Sequence, residues 1–229
     1  ANRLGTEIPH LCYSDKPGYR ADGNCRACMV EIEGERVLAA SCIRKPTDSM
    51  KVKTSSEKAK KSRELVFELL LADQPKKEIA HDNNSDFWKW IDKVEVKESR
   101  FPKKTSCQAD VSHPSMAVNL DACIQCNLCV RACREVQVND VIGMAYRGEN
   151  SKIVFDFDDP MGDSTCVACG ECVQACPTGA LMPASIVDKD GVGHSKVDKK
   201  IDSVCPYCGV GCQIEYNVKD NKIKYVNGV

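Results

Sequence analysis

The sequence predicts an α+β protein built from several small modules, each with too little apolar surface for a large core. Its 229 residues include 16 cysteines, about 7% of the chain, and aromatic residues make up only 6%. Segments this short and this poor in aromatics usually need metal or disulfides to stay folded. The chain does not open with a secretory signal, which would be a charged segment followed by an apolar one. We therefore expect a cytoplasmic, reducing location, where cysteines bind metal more often than they form disulfides.

Charge and hydropathy argue against two classes of partner. Lys and Arg total 32 against 33 Asp and Glu, a net charge of −1. This balance provides no long-range attraction to nucleic acid or to an anionic membrane surface. The longest apolar stretch, residues 65–72, is interrupted by Glu68 and is far shorter than the roughly 20 residues of a membrane helix. We therefore predict neither a nucleic-acid nor a membrane partner.

Two tight cysteine runs carry the most specific signal. Cys123-x2-Cys126-x2-Cys129-x3-Cys133 and Cys166-x2-Cys169-x2-Cys172-x3-Cys176-Pro177 have the spacing of the bacterial [4Fe–4S] run. Three thiolates, each separated from the next by two residues, let one loop wrap three corners of a cubane, and the fourth turns to the other cluster. We predict Cys123, Cys126, Cys129 and Cys176 on one cluster, and Cys166, Cys169, Cys172 and Cys133 on the second.

The two runs form an internal repeat with an offset of 43 residues, which is typical of a duplicated half-module. Each half has a short apolar strand before its loop, at residues 117–120 and 152–157, and a helix over its last cysteine. A turn at residues 147–150 predicts a hairpin between 141–146 and 152–157. The arrangement resembles a two-cluster bacterial-type ferredoxin.

The first cysteine group has a wider spacing, Cys12-x12-Cys25-x2-Cys28-x13-Cys42. A predicted hairpin, residues 29–33 and 37–41 around Gly34, lies between its last two members. The group resembles the variant plant-type ferredoxin domain, a β-grasp fold, at the front of subunits in respiratory complex I, iron-only hydrogenases and NAD-linked formate dehydrogenases. The resemblance implies one [2Fe–2S] cluster on these four cysteines. It also implies a missing N-terminal hairpin, with residues 1–6 as the end of a helix.

The last group, Cys205-x2-Cys208-x3-Cys212, precedes two predicted strands, residues 213–218 and 222–226, joined by Asp220-Asn221. The segment resembles the opening of the molybdopterin-guanine-dinucleotide oxidoreductase superfamily. That resemblance implies a third [4Fe–4S] cluster completed by a cysteine further downstream. It also implies a molybdenum or tungsten bis-molybdopterin guanine dinucleotide cofactor, bound by the full subunit.

A helix is predicted between the first two groups, from Met50 to Asp73, with Thr54 as its N-cap and Pro75 ending it. Its apolar residues are Leu65, Val66, Leu69 and Leu70, which we expect to face the interior.

A following segment, His81 to Val94, lies where complex I and many hydrogenases carry His-x3-Cys-x2-Cys-x5-Cys for a [4Fe–4S] cluster. Ser85, Trp88 and Val94 stand at the three cysteine positions. One imidazole cannot hold a cubane, so we predict no metal there. Instead, Ser85 should cap a short helix that buries Phe87, Trp88 and Ile91. We expect Cys107 to be a structural thiol.

The order of modules suggests the function. A [2Fe–2S] β-grasp module (1–48), a helical linker (49–112), a two-cluster ferredoxin (113–198) and the start of a molybdopterin-oxidoreductase [4Fe–4S] domain (199–229) follow one another. This order resembles the α subunit of NAD-dependent formate dehydrogenases. It implies an oxidoreductase relay between a formate-oxidising, CO2-reducing centre and a flavin- and NAD-binding iron–sulfur subunit. The fragment itself holds no catalytic residue and no G-x-G-x-x-G after a strand.

Three alternatives remain at this level. The chain could be the relay region of an iron-only hydrogenase, a free-standing polyferredoxin, or a binding module held together by zinc. The final cysteine group argues against the first, its three-cysteine count against the second, and the tight cubane spacing against the third.

Overall fold

Four small sheets and four α-helices make up the part of the chain, residues 1–103, 106–188 and 196–228, that this computed structural model describes. The helices are α1 (Glu57–Ala72), α2 (Asp86–Val94), α3 (Leu128–Arg131) and α4 (Glu171–Ala175). The strands are β1 (Met29–Ile32), β2 (Ala39–Ala40), β3 (Val52–Lys53), β4 (Met116–Val118), β5 (Ile142–Ala145), β6 (Lys152–Phe155), β7 (Leu181–Pro183), β8 (Lys199–Val204), β9 (Gln213–Lys219) and β10 (Lys222–Gly228).

The first sheet has the order β2-β1-β3, and all its pairs are antiparallel. Met29 pairs with Ala40, so the predicted hairpin around Gly34 is confirmed. β3 was not predicted, because its two residues are both exposed and carry no alternating pattern. Residues 1–6 contain one 3-10 turn, Asn2–Leu4.

α1 begins later than the sequence predicts. Ser56, not Thr54, is its N-cap, and the Ser56 hydroxyl accepts a hydrogen bond from the Ala59 N–H at 3.3 Å. Pairing of β3 with β1 keeps the preceding residues extended, which the local sequence does not show. The Thr54 carbonyl instead accepts from the Arg63 guanidinium at 2.7 Å and so joins the incoming strand to the helix.

The predicted interior face of α1 is only partly correct: Val66 and Leu70 are half-buried, and Leu70 packs against the cluster that contains Phe67. Leu65 and Leu69 are 42% and 46% exposed, whereas Phe67 is fully buried. Apolar residues surround the helix in this stretch, so periodicity alone allows more than one buried face. Contact with α2 selects Phe67, whose ring centroid lies 6.4 Å from that of Phe87.

α2 confirms one prediction and corrects another. Phe87, Trp88 and Ile91 are buried, and the Phe87 and Trp88 rings meet edge to face at 5.2 Å. Ser85 does occupy the N-cap position, but its hydroxyl makes no capping hydrogen bond. Within the described residues that hydroxyl is buried and unpaired.

The ferredoxin part contains two antiparallel pairs, β4 with β7 and the predicted hairpin of β5 with β6, in which Ile142 pairs with Phe155. α3 continues through a π-turn, Ala132–Val136, that carries Cys133. Helix α4 ends at Ala175, and Cys176 that follows it is extended, with φ −73° and ψ 116°. Pro177 follows, and a residue before proline disfavours the helical region. The predicted helix over Cys176 therefore ends one residue short of it.

The last sheet has the order β10-β9-β8. Its β9–β10 hairpin was predicted, whereas the charged strand β8, which pairs with β9 from Lys199 to Val204, was not. None of the described helices combines the length and apolar character needed to cross a bilayer.

The linker joins the first module to the ferredoxin part through a shared core. Leu11, Phe67, Phe87 and Leu128 belong to one buried cluster. The Phe87 N–H also donates to the Pro177 carbonyl at 3.0 Å. The linker thus fixes how the two modules sit against each other.

Phe67→Ala should lower the free energy of unfolding by about 3–5 kcal/mol, because it empties a fully buried aromatic site. Leu69→Ala on the same helix should change it by no more than about 0.5 kcal/mol. Denaturant unfolding of both variants measures the difference. A larger loss for Leu69→Ala would show that the helix buries the face that the sequence pattern first indicated.

Candidate metal centres

The four cysteines of the first group come together in the structure. The Cys25 N–H donates to Cys12 Sγ at 3.4 Å. A hydrogen bond between the two thiols lowers the pKa of Cys12 to about 5 and, together with burial, raises that of Cys25. Burial also raises the pKa of Cys42 to about 12, with further contributions from Cys28 and Cys12. The hairpin of β1 and β2 therefore brings Cys28 and Cys42 to the loop that carries Cys12 and Cys25.

A second group combines three cysteines of the first tight run with the last cysteine of the second. Cys123, Cys126, Cys129 and Cys176 line one cavity, whose other walls include Leu120, Ile153 and Leu181. Burial, and then the nearby Cys176 and Cys123 thiols, raise the pKa of Cys126. The pKa of Cys129 is raised in the same way. The structure thus places Cys176 beside the earlier run.

A third group has the reciprocal composition. Burial, together with the nearby thiols of Cys166, Cys169 and Cys133, raises the pKa of Cys172 to about 12. Burial also raises the pKa of Cys166, and the nearby thiols of Cys169 and Cys133 contribute to the rise. Cys133 lies in the π-turn, and the Val141 N–H donates a hydrogen bond to its Sγ at 3.3 Å. The fold thus places the last cysteine of each run near the first three cysteines of the other run.

The two tight loops share a backbone pattern that the sequence did not reveal. Gln125 and Asn127 in the first loop, and Ala168 and Gly170 in the second, have left-handed φ values of 54°, 61°, 58° and 75°. These positions are related by the same 43-residue offset as the cysteines. Such turns point backbone N–H groups inward, and the Gln125 N–H donates to Cys123 Sγ at 3.4 Å. Only Gly170 and Asn127 are residue types that hint at this conformation.

The last cysteine group lies in an open loop between β8 and β9. The Cys205 N–H donates to the Cys212 carbonyl at 2.9 Å and closes the loop, while Cys208 and Cys212 are exposed.

Two further residues singled out in the sequence analysis are His81 and Cys107. His81 is buried, its Nδ1 lies 3.3 Å from the side-chain nitrogen of Asn119, and Trp88 packs within the core. Cys107 is half-buried, and its N–H donates to Asp121 Oδ1 at 2.5 Å. The buried Trp88 ring thus fills one of the three positions after His81 where the resemblance would place a cysteine ligand.

The donor sets suit iron–sulfur clusters. Each of the first three groups offers four thiols, the ligands that these clusters take, and backbone N–H groups already point at several sulfurs. Among the described residues, no three His, Cys, Asp or Glu side chains converge tightly enough to chelate a single ion. A cluster of several iron atoms holds its thiolates farther apart than one ion does.

Three protein families match separate parts of the chain. Residues 1–57 match the 2Fe-2S iron-sulfur cluster binding domain, and residues 122–180 match the 4Fe-4S dicluster domain. Residues 198–229 match the molybdopterin oxidoreductase Fe4S4 domain. These matches confirm the predicted fold class, an α+β chain with a [2Fe–2S] domain, a two-cluster ferredoxin domain and the start of a molybdopterin-oxidoreductase [4Fe–4S] domain.

Curated relatives span several enzymes. An NADH-quinone oxidoreductase subunit of Rhizobium meliloti (strain 1021) is 32% identical over 231 residues, which cover 99% of this chain and 26% of that protein. NADP-reducing hydrogenase subunit HndD of Solidesulfovibrio fructosivorans is 34% identical over 189 residues, 80% of this chain and 32% of that protein. "Putative formate dehydrogenase SH0748" of Staphylococcus haemolyticus (strain JCSC1435) is 28% identical over 256 residues, 95% of this chain and 26% of that protein. The chain therefore spans about a quarter to a third of these relatives.

A solved structure agrees with this range. The crystal structure of an NAD+-reducing [NiFe]-hydrogenase in the H2-reduced state superposes with a TM-score of 0.71 and 26% identity, over 80% of this chain and 77% of that one. The fold, the groups of thiols and the family matches together define an iron–sulfur protein of the kind found as subunits of oxidoreductases. More particularly, the chain corresponds to the iron–sulfur N-terminal region shared by subunits of NADH-quinone oxidoreductases, formate dehydrogenases and hydrogenases.

His81 should make stability depend on pH. Burial lowers its pKa, whereas an unfolded histidine titrates near about 6.5. Between these two values the unfolded chain binds more protons, so stability falls as the pH drops below about 6.5 and levels off below the folded pKa. We expect His81→Asn to lose less thermal stability than wild type between about pH 7.5 and about pH 5.

Ser85→Ala is the matched control, because it changes a neighbouring buried polar group that does not titrate in this range. Thermal unfolding midpoints across the pH series give the comparison. Equal slopes for wild type and His81→Asn would contradict this account.

Proposed function

We propose that this chain is the iron–sulfur electron relay of a cytoplasmic NAD-dependent formate dehydrogenase α subunit. The observation that carries the proposal is the reciprocal grouping of the two tight runs beside the first cysteine group. We propose the domain bounds expected from the sequence, 1–48, 49–112, 113–198 and 199–229, with β3 (Val52–Lys53) continuing the first sheet just past the first bound. The proposed ligands are Cys12, Cys25, Cys28 and Cys42; Cys123, Cys126, Cys129 and Cys176; Cys166, Cys169, Cys172 and Cys133; and Cys205, Cys208 and Cys212 with a downstream cysteine.

When bound, iron–sulfur clusters accept and release one electron at a time. The residues of this chain hold the thiolates, direct backbone N–H groups toward sulfur and surround them with apolar side chains. Hydrogen bonds to sulfur and exclusion of water are two of the factors that set a cluster's reduction potential. The Val141 N–H on Cys133 and the Gln125 N–H on Cys123 are such contacts.

Two findings favour formate as the substrate of the complex. Residues 198–229 match the molybdopterin oxidoreductase Fe4S4 domain, and the Staphylococcus haemolyticus relative aligns over 95% of this chain. We propose that a molybdenum- or tungsten-pterin centre outside residues 1–229 oxidises formate. A flavin- and NAD-binding iron–sulfur subunit is the proposed partner that exchanges electrons with this chain.

A complex of the NADH-quinone oxidoreductase class is the second candidate. The Rhizobium meliloti relative aligns over 99% of this chain at 32% identity, a higher identity than the formate dehydrogenase relative has. Against it stand Ser85, Trp88 and Val94, which replace the three cysteines expected from the complex I pattern.

The two candidates separate by their reductant. The complex would be purified from its natural host through an affinity tag on this chain, and its visible absorbance followed under anaerobic conditions. We expect formate to bleach the iron–sulfur absorbance, and NAD to restore it. Bleaching by NADH and quinol but not by formate would favour the second candidate. Bleaching by hydrogen alone would indicate a hydrogenase.

The exchange of ligands between the two runs has a direct test. Alanine leaves no donor atom, so Cys133→Ala combined with Cys166→Ala should remove one cluster, or about 4 iron atoms per chain. Cys133→Ala combined with Cys123→Ala should remove both, or about 8. Iron and acid-labile sulfide analysis measures the loss, with Cys107→Ala as the control that retains full iron. The reverse order of losses would assign Cys133 to its own run.

Cluster content checks the remaining assignment. The first three groups account for about 10 iron atoms per chain, and a completed fourth group raises the total to about 14. The isolated chain should be brown and should not oxidise formate, because these residues hold no pterin centre. Formate-dependent dye reduction by the isolated chain would show that the catalytic centre is misplaced.

A further inference from the structure

Arg131 lies between two of the proposed metal centres. We infer that its guanidinium, paired with Asp22, is a positioning residue that joins the first cysteine group to the Cys123 group and raises the reduction potential of both. The inference rests on the proposed function only in requiring that both groups hold iron–sulfur clusters. It holds for a formate dehydrogenase and for any other parent complex.

The contacts of Arg131 span the two modules. One terminal nitrogen donates to the Cys12 carbonyl at 2.8 Å and to the Cys126 carbonyl at 3.3 Å. The other donates to the Arg20 carbonyl, and Nε donates to the Asn127 carbonyl at 3.3 Å. One side chain thus contacts the backbone of a cysteine in each group, although these cysteines are separated by more than a hundred residues in sequence.

Burial makes the charge of Arg131 effective. Its side chain is 2% exposed, and its partner Asp22, with Oδ2 at 3.2 Å from Nε, is 18% exposed. A buried charge is poorly screened by water, so it acts strongly on groups nearby. Burying a guanidinium is costly unless all its donors are used. Here every nitrogen of the fork has an acceptor, which a lysine could not reproduce.

A second contact supports the same junction. The Asn24 amide donates to the Cys126 carbonyl at 3.5 Å, so two side chains converge on that carbonyl. Asn24 immediately precedes Cys25 of the first group. The loop of the first module is therefore tied to the loop of the ferredoxin part through polar contacts as well as through the shared core.

Electrostatics predict opposite effects for the two partners. Reduction adds one negative charge to a cluster, and a nearby positive charge favours the reduced form. Removing Arg131 should therefore lower the reduction potentials, and removing the charge of Asp22 should raise them. A residue that served only to hold the modules together would not produce shifts of opposite sign.

The chain provides a matched control for the loss of a positive charge. Arg20 also pairs with Asp22, at 3.4 Å, but its side chain is 69% exposed. Its contact with Arg131 is through the backbone carbonyl, which a substitution retains. Arg20→Gln therefore removes a charge near the same carboxylate while leaving the buried junction intact.

The experiment is a redox titration of the reconstituted chain followed by electron paramagnetic resonance, with wild type, Arg131→Met, Arg131→Lys, Asp22→Asn and Arg20→Gln compared. For Arg131→Met we expect both potentials to fall by an amount equal to about a tenfold change in the oxidised-to-reduced ratio, about 59 mV for a one-electron couple. Asp22→Asn should shift them upward. Arg131→Lys should restore most of the potential, and Arg20→Gln should match wild type.

Iron and sulfide content separates the two levels of the proposal. A wild-type chain that assembles no clusters would overturn the proposed function. Clusters of full content with unchanged potentials in Arg131→Met and Asp22→Asn would overturn the role of Arg131 alone. If Arg131→Met loses iron, Asp22→Asn decides, because it keeps the guanidinium: an upward shift supports the inference, and an unchanged or lower potential overturns it.

Discussion

The close approach of buried thiols is the constraint on which the rest of this structure depends. Three groups of four thiols lie in modules too small to bury them cheaply as anions, and burial and neighbouring thiols raise the pKa values of Cys126, Cys129 and Cys172. A bound metal cluster would supply the positive charge that makes the thiolates favourable, so metal binding and folding are coupled in such a site. The left-handed turns of the loops point backbone N–H groups toward the sulfurs and so also stabilise the thiolates.

Apolar packing connects these centres without a large core. Phe67 of α1 and Phe87 of α2 meet residues of the first module and of the ferredoxin loop in one cluster. The buried guanidinium of Arg131 adds polar contacts at the same junction. Fixed spacing between redox centres is what a relay requires, and here both kinds of contact provide it.

The segment from His81 to Val94 shows how apolar packing can occupy a position where the resemblance described in the sequence analysis would place metal ligands. Trp88 is buried against Phe87, and the chain that follows His81 docks on the loop after Cys176. Gly179 in that loop has φ +77°, and a Cβ there would lie 2.6 Å from Asp82 Cβ. The segment therefore packs on the loop that follows Cys176, one of the four cysteines of the Cys123 group.

The sequence by itself determined the cysteine groups, the internal repeat, the reciprocal grouping of the cysteines of the two runs and the three hairpins, because these depend on spacing and local turn signals. Only the tertiary structure decided the start of α1, its buried face at Phe67, and strands β3 and β8, because distant strand and helix contacts overrode weak local patterns. It also decided the position of Arg131, an ordinary helix residue in the sequence. Its role depends on carbonyls of Cys12 and Cys126 that are brought together by folding.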